Sequence, residues 1–226
     1  MRKKSVLRKI WHFVWVDDSI WSWLVNIVLA YVLIKFIFYP GIGLALATDY
    51  PGVAVVSCSM EHKPDNCWVD CYNRGGSWDD CKSNQLVMCG NSYDDKKWRN
   101  FDGFWQECGK WYGDNKISKE EFDKFDFKNG FNMGDIFIVN GRSEIEKGDI
   151  IVFQYGGESN PIIHRVVDII EENEEIYYQT KGDHNSGSSS FEQKINKERI
   201  YGKAIVKIPW GGWVKIWFTT LIRGFV

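Results

Sequence analysis

The sequence predicts a mainly β protein in which an all-β domain follows an N-terminal transmembrane helix. Residues 20–39 form an almost wholly apolar run that is long enough to span a bilayer. Further along the chain, short runs of β-branched residues alternate with turn signals, a pattern typical of a sandwich or barrel. A cysteine- and tryptophan-rich segment with little periodicity lies between them. At 226 residues, the chain can hold one medium-sized domain and an accessory segment.

The N-terminal segment, residues 1–19, is basic at its start and precedes the apolar run. Twenty helical residues rise about 30 Å, which matches the hydrocarbon core of a bilayer. Because basic flanks remain in the cytoplasm, we expect a single-pass protein of the cell membrane with its β domain outside. The alternative is a signal peptide cleaved after Ala45-Leu-Ala47. The length of the run and the intervening Pro40-Gly-Ile-Gly43 favour a retained signal anchor at residues 20–39.

All six cysteines lie in one loop-rich stretch after the apolar run: Cys58, Cys67, Cys71, Cys81, Cys89 and Cys108. An even number in such a stretch indicates an oxidising compartment and a disulfide framework, whose pairing the sequence leaves open. Zinc is the alternative, because Cys67 and Cys71 could begin a site, but no second Cys/His pair follows at finger or ribbon spacing. We therefore expect disulfides and no metal. The formal charge of −2 gives no reason to expect nucleic acid as a partner.

Residues 61–129 are predicted to form a disulfide-rich insertion between two strands of the β domain. Periodicity is poor in this segment until Ser118-Lys-Glu-Glu121, a capping box that predicts a short helix to about Phe125. The β domain would comprise residues 40–60 and 130–208. Its expected strands are residues 51–60, 134–139, 148–154, 161–170, 176–180 and 199–208.

The C-terminal segment, residues 209–226, separates apolar and polar side chains onto two faces at helical spacing. The apolar face carries Trp210, Trp213, Val214, Trp217, Phe218, Leu221, Ile222 and Phe225. The segment is too short and too two-sided to span a bilayer, so it is predicted to be an amphipathic helix in the membrane interface. A C-terminal helix packed on the domain is equally compatible with this pattern.

Three polar residues are candidates for chemistry. Ser59 leaves the strand predicted at residues 51–60, and a serine at a strand exit is held rigidly yet stays accessible, as a nucleophile requires. His164 lies within the strand at 161–170 and could act as a general base. Asp183 follows in a Gly-Asp turn and supplies a carboxylate. Each has an ordinary structural explanation as well: a turn serine, a core histidine and a turn aspartate.

Four short sequences occur in a fixed order around these candidates. They are Ser57-Cys-Ser-Met60, Gly148-Asp-Ile-Ile-Val-Phe153, His164-Arg-Val-Val167 and Thr180-Lys-Gly-Asp183. Together they resemble the type I signal peptidases of the archaeal and endoplasmic-reticulum branch, over about residues 20–208 without the cysteine-rich segment. The bacterial branch has a catalytic lysine where this chain has His164.

The resemblance implies a signal-peptidase-like β catalytic domain that rests on the lipid bilayer and needs no cofactor. Such a protein is a serine endopeptidase that cleaves signal peptides from exported preproteins, with the protein-export channel as a candidate partner. Ser59 would be the nucleophile and His164 the general base. The Ser59 backbone N–H and the Ser57 hydroxyl would donate to the oxyanion. The alternative function is a catalytically inactive homologue that acts as a binding or scaffold subunit.

The chain departs from the family pattern at the acid that orients the histidine. Family members usually have a second aspartate six residues after the first, and here that position is Ser189. The remaining acids nearby are Asp183 and Glu192. Glu192 lies beyond a Ser/Gly loop and would lose more conformational entropy in reaching the histidine. We therefore expect Asp183 to be the acid most needed, either as the direct orienter or by holding the loop. Glu192 and Ser189, whose hydroxyl could accept the ring N–H, are the other candidates for orienting the histidine.

Overall fold

The computed structural model describes residues 6–66, 86–156, 161–213 and 216–217. The chain divides into two compact units, Met1–Asp49 and Tyr50–Val226. The helices of the first unit, numbered in chain order, are α1 (Val6–Trp15), α2 (Ile20–Leu33) and α3 (Tyr39–Leu46), with a π-helical turn at Ile34–Phe38 between the last two.

The apolar run forms one helix from Ile20 to Leu46, of 27 residues and mean hydropathy 2.0. Among the described residues it is the one helix long and apolar enough to cross a membrane. It continues past Tyr39, where the sequence predicted its end. The π turn changes the hydrogen-bond register just before Pro40, which has no N–H to donate. The helix ends at Ala47, which adopts the left-handed conformation common after a helix C-terminus.

The second unit is mainly β, as the sequence predicted. Its described residues form nine strands, numbered in chain order: β1 (Gly52–Ala54), β2 (Leu86–Met88), β3 (Asn91–Tyr93), β4 (Ile136–Asn140), β5 (Ile150–Phe153), β6 (Ile162–Glu172), β7 (Glu175–Lys181), β8 (Ile195–Asn196) and β9 (Ile200–Ile208). Seven of them form an antiparallel sheet in the order β1-β4-β9-β5-β6-β7-β8, and β2 pairs with β3 as a separate hairpin.

The predicted strands match the observed ones closely except at the first. Of the run at residues 51–60, only Gly52–Ala54 form the strand, and backbone hydrogen bonds to the β4 side continue as far as Val55. The chain then turns before Met60 and leaves the sheet. The short strands β2, β3 and β8 were not predicted, since two or three residues carry too little periodicity to stand out.

Strand β6 positions the site, because successive side chains point to opposite faces of a sheet. Arg165 and Val167 point to the face that packs against residues 61–129, where Val167 joins a cluster with Phe104 and Tyr112. His164 points to the other face, opposite Ile151 of β5. Two consecutive residues of one strand thus serve two separate environments.

Residues 61–129 leave the β domain and return to the same place, since the Phe131 N–H donates to the Met60 carbonyl at 3.1 Å. The described part contains two helices, α4 (Phe101–Asp114) and α5 (Lys119–Phe122). Helix α5 begins at the predicted Ser118 cap, whose side chain accepts from the Glu121 N–H. Helix α4 was not predicted because its glycines lower helix propensity, and packing of one face stabilises it instead.

Cys89 and Cys108 form a disulfide, with their Cα atoms 5.5 Å apart. Cys58 is disulfide-bonded as well. The predictions for Cys67, Cys71 and Cys81 lie outside the described residues. The described disulfide agrees with the oxidising compartment expected from the sequence.

Only the start of the predicted C-terminal helix, residues 209–226, is described. Helical hydrogen bonding begins there, with the Ile216 N–H donating to the Gly212 carbonyl at 3.1 Å. Ile216 is buried and the Trp213 indole lies against Gly134, whereas Trp210 and Trp217 are exposed. The beginning of the segment therefore packs on the β domain through Trp213 and Ile216, and the side chains of Trp210 and Trp217 remain in contact with solvent.

Candidate active site

Ser59 lies in the turn that follows β1 and is half-buried. The turn is closed by the Glu61 N–H, which donates to the Cys58 carbonyl at 2.9 Å. The Ser59 carbonyl accepts from the His184 N–H, also at 2.9 Å. Its backbone is therefore fixed from two sides while its side chain keeps partial access to solvent.

The Ser59 hydroxyl lies 2.9 Å from His164 Nε2. The histidine is the third residue of β6, a strand that lies between β5 and β7, and only 6% of it is exposed. With the proton on Nδ1, the Nε2 atom accepts the Ser59 hydroxyl proton. This is the geometry of a serine nucleophile and its general base.

Glu192 completes the chain of hydrogen bonds, with Oε1 lying 2.5 Å from His164 Nδ1. The Thr180 hydroxyl donates to the same oxygen at 3.1 Å, and the Ser189 N–H donates to Oε2 at 3.0 Å. Burial alone would raise the pKa of Glu192, but the bonds from His164 and Ser189 hold it below its ordinary value. The carboxylate therefore stays ionised and can stabilise an imidazolium.

Ser189 positions Glu192 through a capping box and makes no described contact with His164. The Ser189 side chain accepts from the Glu192 N–H, while the Glu192 side chain accepts from the Ser189 N–H. The short 3₁₀ turn Ser190–Glu192 thereby folds back over the site. The family pattern has its orienting acid at the position of Ser189. In this chain Glu192, three residues later, supplies the acid instead.

Asp183 does not contact His164, so its expected role as the direct orienter is corrected, whereas the alternative, that it holds the loop, stays a prediction. Its two oxygens face the other side of the sheet and accept four hydrogen bonds. Arg165 Nε and the Tyr112 hydroxyl donate to Oδ1, each at 2.9 Å. The second guanidinium nitrogen of Arg165 lies 2.8 Å, and His62 Nε2 3.1 Å, from Oδ2. Both oxygens are thus saturated by groups that His164 does not share.

The entropy argument that favoured Asp183 failed for a local reason. The Ser/Gly loop before Glu192 is not an open loop, because the capping box and the bond from the Ser188 hydroxyl to the Thr180 carbonyl order it. The ordering entropy is therefore offset by local hydrogen bonds. A serine followed three residues later by a glutamate was the signal in the sequence that could have revealed this turn.

The Ser57 hydroxyl lies 2.9 Å from the Ser59 hydroxyl. When the Ser59 hydroxyl donates to His164, the proton of the Ser57 hydroxyl can point to the Ser59 oxygen. In the described part of the chain, the Ser59 N–H has no acceptor of its own. Both groups predicted as oxyanion donors, Ser57 and Ser59, therefore lie on the nucleophile side of the site.

Gly182 brings the following turn into direct contact with the two reactive residues. A Cβ at this position would lie 2.7 Å from the Ser59 carbonyl oxygen and 2.9 Å from His164 Nε2. Both distances are shorter than real Cβ contacts allow. The turn of residues 182–185, closed by the Asn185 N–H on the Gly182 carbonyl at 2.9 Å, can pack here only because residue 182 lacks a side chain.

Lys181 is fully buried beside the site but does not contact Ser59. Its Nζ donates to the Gly182 carbonyl at 2.9 Å and the Asp183 carbonyl at 3.1 Å, and lies over the Tyr112 ring. Burial lowers the pKa of Lys181 to about 8. Its contacts fix the 182–185 turn from the face opposite to His164.

Sequence reasoning missed the residues that hold Asp183. His62 belongs to none of the four motifs, and Tyr112 lies in a segment without a predicted helix. Both are fully buried, and burial lowers the pKa of His62, so that its ring is neutral at pH 7. No group of three metal-ligating side chains occurs among the described residues.

No family model matches the chain, but several curated proteins do. It is 31% identical over 110 residues to the signal peptidase complex catalytic subunit SEC11 of Colletotrichum graminicola, covering 42% of this chain and 64% of that protein. The human subunit SEC11C is 35% identical over 94 residues, covering 38% and 49%. SEC11 of Candida tropicalis is 36% identical over 93 residues, covering 38% and 56%. The chain thus spans from 49% to 64% of the length of these relatives.

Proposed function

We propose that this chain, a sequence relative of the catalytic subunits of signal peptidase complexes, is a membrane-bound serine endopeptidase that removes signal peptides from exported preproteins. The observation that carries the proposal is the hydrogen-bonded series Ser59, His164 and Glu192. A nucleophile, a base within reach of it and an acid that orients the base together form the arrangement required for acyl transfer.

In this proposal, Ser59 Oγ attacks the carbonyl carbon of the scissile peptide while His164 Nε2 takes its proton. Glu192 fixes the tautomer of His164 and stabilises the imidazolium, without taking the proton itself. The imidazolium then gives its proton to the leaving amine, and an acyl-enzyme remains on Ser59. A water molecule, activated by the same histidine, hydrolyses this ester and releases the mature protein.

The Ser59 N–H and the Ser57 hydroxyl are assigned to the oxyanion of the tetrahedral intermediate. Removal of one such donor typically raises the activation barrier by about 3–4 kcal/mol. The 2.9 Å separation of the two hydroxyls keeps Ser57 close to the carbonyl that Ser59 attacks. A Ser57→Ala variant is therefore expected to lose rate without losing the nucleophile.

The apolar helix Ile20–Leu46 is assigned as the membrane anchor. With its basic flank in the cytoplasm, the catalytic unit lies on the other side of the cell membrane. The Cys89–Cys108 disulfide supports this orientation, because disulfides persist in oxidising compartments. Preproteins that emerge from the protein-export channel would meet the site at the bilayer surface.

The alternative of a catalytically inactive scaffold subunit rested on the missing second aspartate. The position of Glu192 removes that reason, since a buried and ionised carboxylate lies against His164. A scaffold would also have no need for a serine hydroxyl directed at a histidine nitrogen. We therefore favour the active peptidase.

The deciding experiment mixes the full-length protein in detergent with a signal-peptide-bearing precursor and measures release of the mature protein. Ser59→Ala is expected to lower the rate by roughly 10⁴-fold or more, as in other serine–histidine enzymes. Ser143→Ala, in the turn after β4, is the matched control and should cleave like wild type. Equal cleavage by Ser59→Ala and wild type would refute the proposal.

A further inference from the structure

Helix α4 belongs to residues 61–129, yet one of its side chains reaches the turn beside the active site. Phe104, Cys108 and Tyr112 recur every four residues and bury one face of the helix. Tyr112 is fully buried, and its hydroxyl donates to Asp183 Oδ1 at 2.9 Å. Burial and the charge of Asp183 raise the pKa of Tyr112 well above its ordinary value, so the hydroxyl keeps its proton and remains a donor.

Asp183, which accepts from Tyr112, lies between two residues whose backbones contact Ser59 and His164. On one side of Asp183, the Gly182 backbone packs against Ser59 and His164 so closely that a Cβ would not fit. On the other side, the His184 N–H donates to the Ser59 carbonyl at 2.9 Å. A displacement of Asp183 would therefore move both contacts at once.

The same segment holds the 182–185 turn at a second point. Cys108, one turn before Tyr112 on α4, forms a disulfide with Cys89. The Cys89 N–H in turn donates to the His184 carbonyl at 2.7 Å. The disulfide thus links the helix that presents Tyr112 to the strand end that fixes His184.

We propose that Tyr112 is a positioning residue of this peptidase, whose hydroxyl fixes the 182–185 turn and, through it, the relative placement of Ser59 and His164. The inference rests on the proposed function and assigns a task to residues 61–129. The same hydroxyl also accepts from Lys181 Nζ at 3.5 Å, and Lys181 holds the same turn. A misplacement of about 1 Å at a catalytic group can cost about 10²-fold in rate, so loss of this hydroxyl is expected to cost roughly tenfold in kcat.

The test uses Tyr112→Phe in the full-length protein, because this change removes the hydroxyl and keeps the ring. We expect kcat for precursor cleavage to fall roughly tenfold while KM stays within about twofold, since a positioning contact affects the transition state more than substrate binding. Tyr93→Phe is the matched control. Its hydroxyl donates to Glu107 at 2.7 Å in the same segment, remote from Asp183 in the hydrogen-bond network, so its kcat should equal that of wild type.

A second readout does not depend on cleavage. The chain has four histidines, so ¹⁵N-histidine labelling allows the His164 ring signals to be followed by NMR, with His164→Gln for assignment. Tyr112→Phe should shift the His164 signals and leave those of His12 unchanged. The double variant Cys89→Ala/Cys108→Ala removes the second attachment and should lower kcat in the same direction.

Wild-type kcat together with unshifted His164 signals in Tyr112→Phe would overturn the inference. A rise in KM with kcat unchanged would also overturn it, because it would assign Tyr112 to substrate binding. If the wild-type protein cleaves no precursor, the proposed function fails, and the His164 signals alone then decide for or against the positioning contact.

Discussion

His164 and Arg165 are consecutive residues of β6, and each is paired with a buried carboxylate on its own side of the sheet. Glu192 accepts a single hydrogen bond from His164 and further bonds from Thr180 and Ser189. Asp183 faces a permanent cation, Arg165, and its oxygens accept four bonds. In the first pair, the partner of the carboxylate is a histidine, which can gain and lose a proton. In the second pair, the negative charge of Asp183 is fully compensated by its donors.

The difference follows from the residues that surround each pair. Arg165 donates also to the carbonyls of Asp126, Phe127 and Gly148, and its guanidinium lies over the Phe122 ring. The pKa of Asp183 is held far below its ordinary value, because Arg165 and His62 outweigh the effect of burial. Such a carboxylate suits a rigid support. Glu192, in contrast, is placed by a short local turn and is available to the histidine.

Of the two carboxylates, Glu192 is expected to have the larger effect on rate, tested by Glu192→Gln. The amide can still accept at the capping box, but it cannot stabilise the imidazolium or fix the tautomer, so kcat should fall by about 10⁴-fold. Precursor cleavage measures the rate, and thermal unfolding followed by circular dichroism should show little change. Glu198→Gln, an exposed acid in the next 3₁₀ turn, is the control.

Asp183→Asn tests the other carboxylate. It leaves a buried Arg165 without its counter-ion, so we expect lower stability together with a rate loss of about a hundredfold, smaller than that of Glu192→Gln. If Glu192→Gln is tolerated and Asp183→Asn alone abolishes cleavage, the roles assigned to the two carboxylates are reversed.

The largest effect on stability is expected from Arg165→Met. This change leaves Asp183 buried without its cation and should lower the free energy of unfolding by about 3–5 kcal/mol. Urea titration of the detergent-solubilised protein measures it. The control is Lys203→Met, which breaks the more accessible pair with Asp149, at 2.6 Å, and should cost about 1 kcal/mol or less. Equal losses of unfolding free energy in the two variants would show that the buried Arg165–Asp183 pair is no more stabilising than the accessible Lys203–Asp149 pair.

Low pH should lower the stability of the folded protein, because His62, the neutral partner of Asp183, would have to gain a proton. Burial lowers the pKa of His62, and its Nδ1 has no hydrogen-bond partner among the described residues, so the folded state prefers the neutral ring. Because the unfolded chain then binds more protons, stability is full above a pH of about 6.5 and falls below it, by at most about 1.4 kcal/mol per pH unit and histidine. The pKa of His184 is lowered by burial too and acts with the same sign.

His62→Gln measures this contribution. The variant keeps an amide donor for Asp183 and removes the titrating ring, so the free energy of unfolding should depend less steeply on pH between 6.5 and 5 than in wild type. His12→Gln, in the first unit, is the control and should leave the slope unchanged. A wild-type slope in His62→Gln would mean that His62 binds as many protons in the folded protein as in the unfolded chain, and would contradict the lowered pKa.

The sequence was sufficient for those features that depend on local pattern. The apolar helix, six of the strands and the Ser118 cap could be predicted from local pattern, and the pairing of Ser59 with His164 was expected only from the family resemblance. Tyr112 could not be found, because its helix contains three glycines and is stabilised by packing. Glu192 was ranked below Asp183 because the loop before it has the composition of a flexible loop, although a capping box orders it.

The smallest effect is expected from Ser189→Ala, which tests how the loop places Glu192. The change removes the hydroxyl that accepts from the Glu192 N–H and leaves the Ser189 N–H on Glu192 Oε2 intact. Loss of such a cap costs about 1 kcal/mol, which corresponds to a rate loss of roughly fivefold if it falls entirely on the placement of Glu192. Ser189→Asp preserves a good cap, and because residue 189 caps the turn, its carboxylate should leave kcat within about twofold of wild type. Ser190→Ala, at the neighbouring exposed position, is the control for both. A clear gain of rate in Ser189→Asp would instead mean that an acid at position 189 can reach His164, and that the 3₁₀ turn opens to admit it.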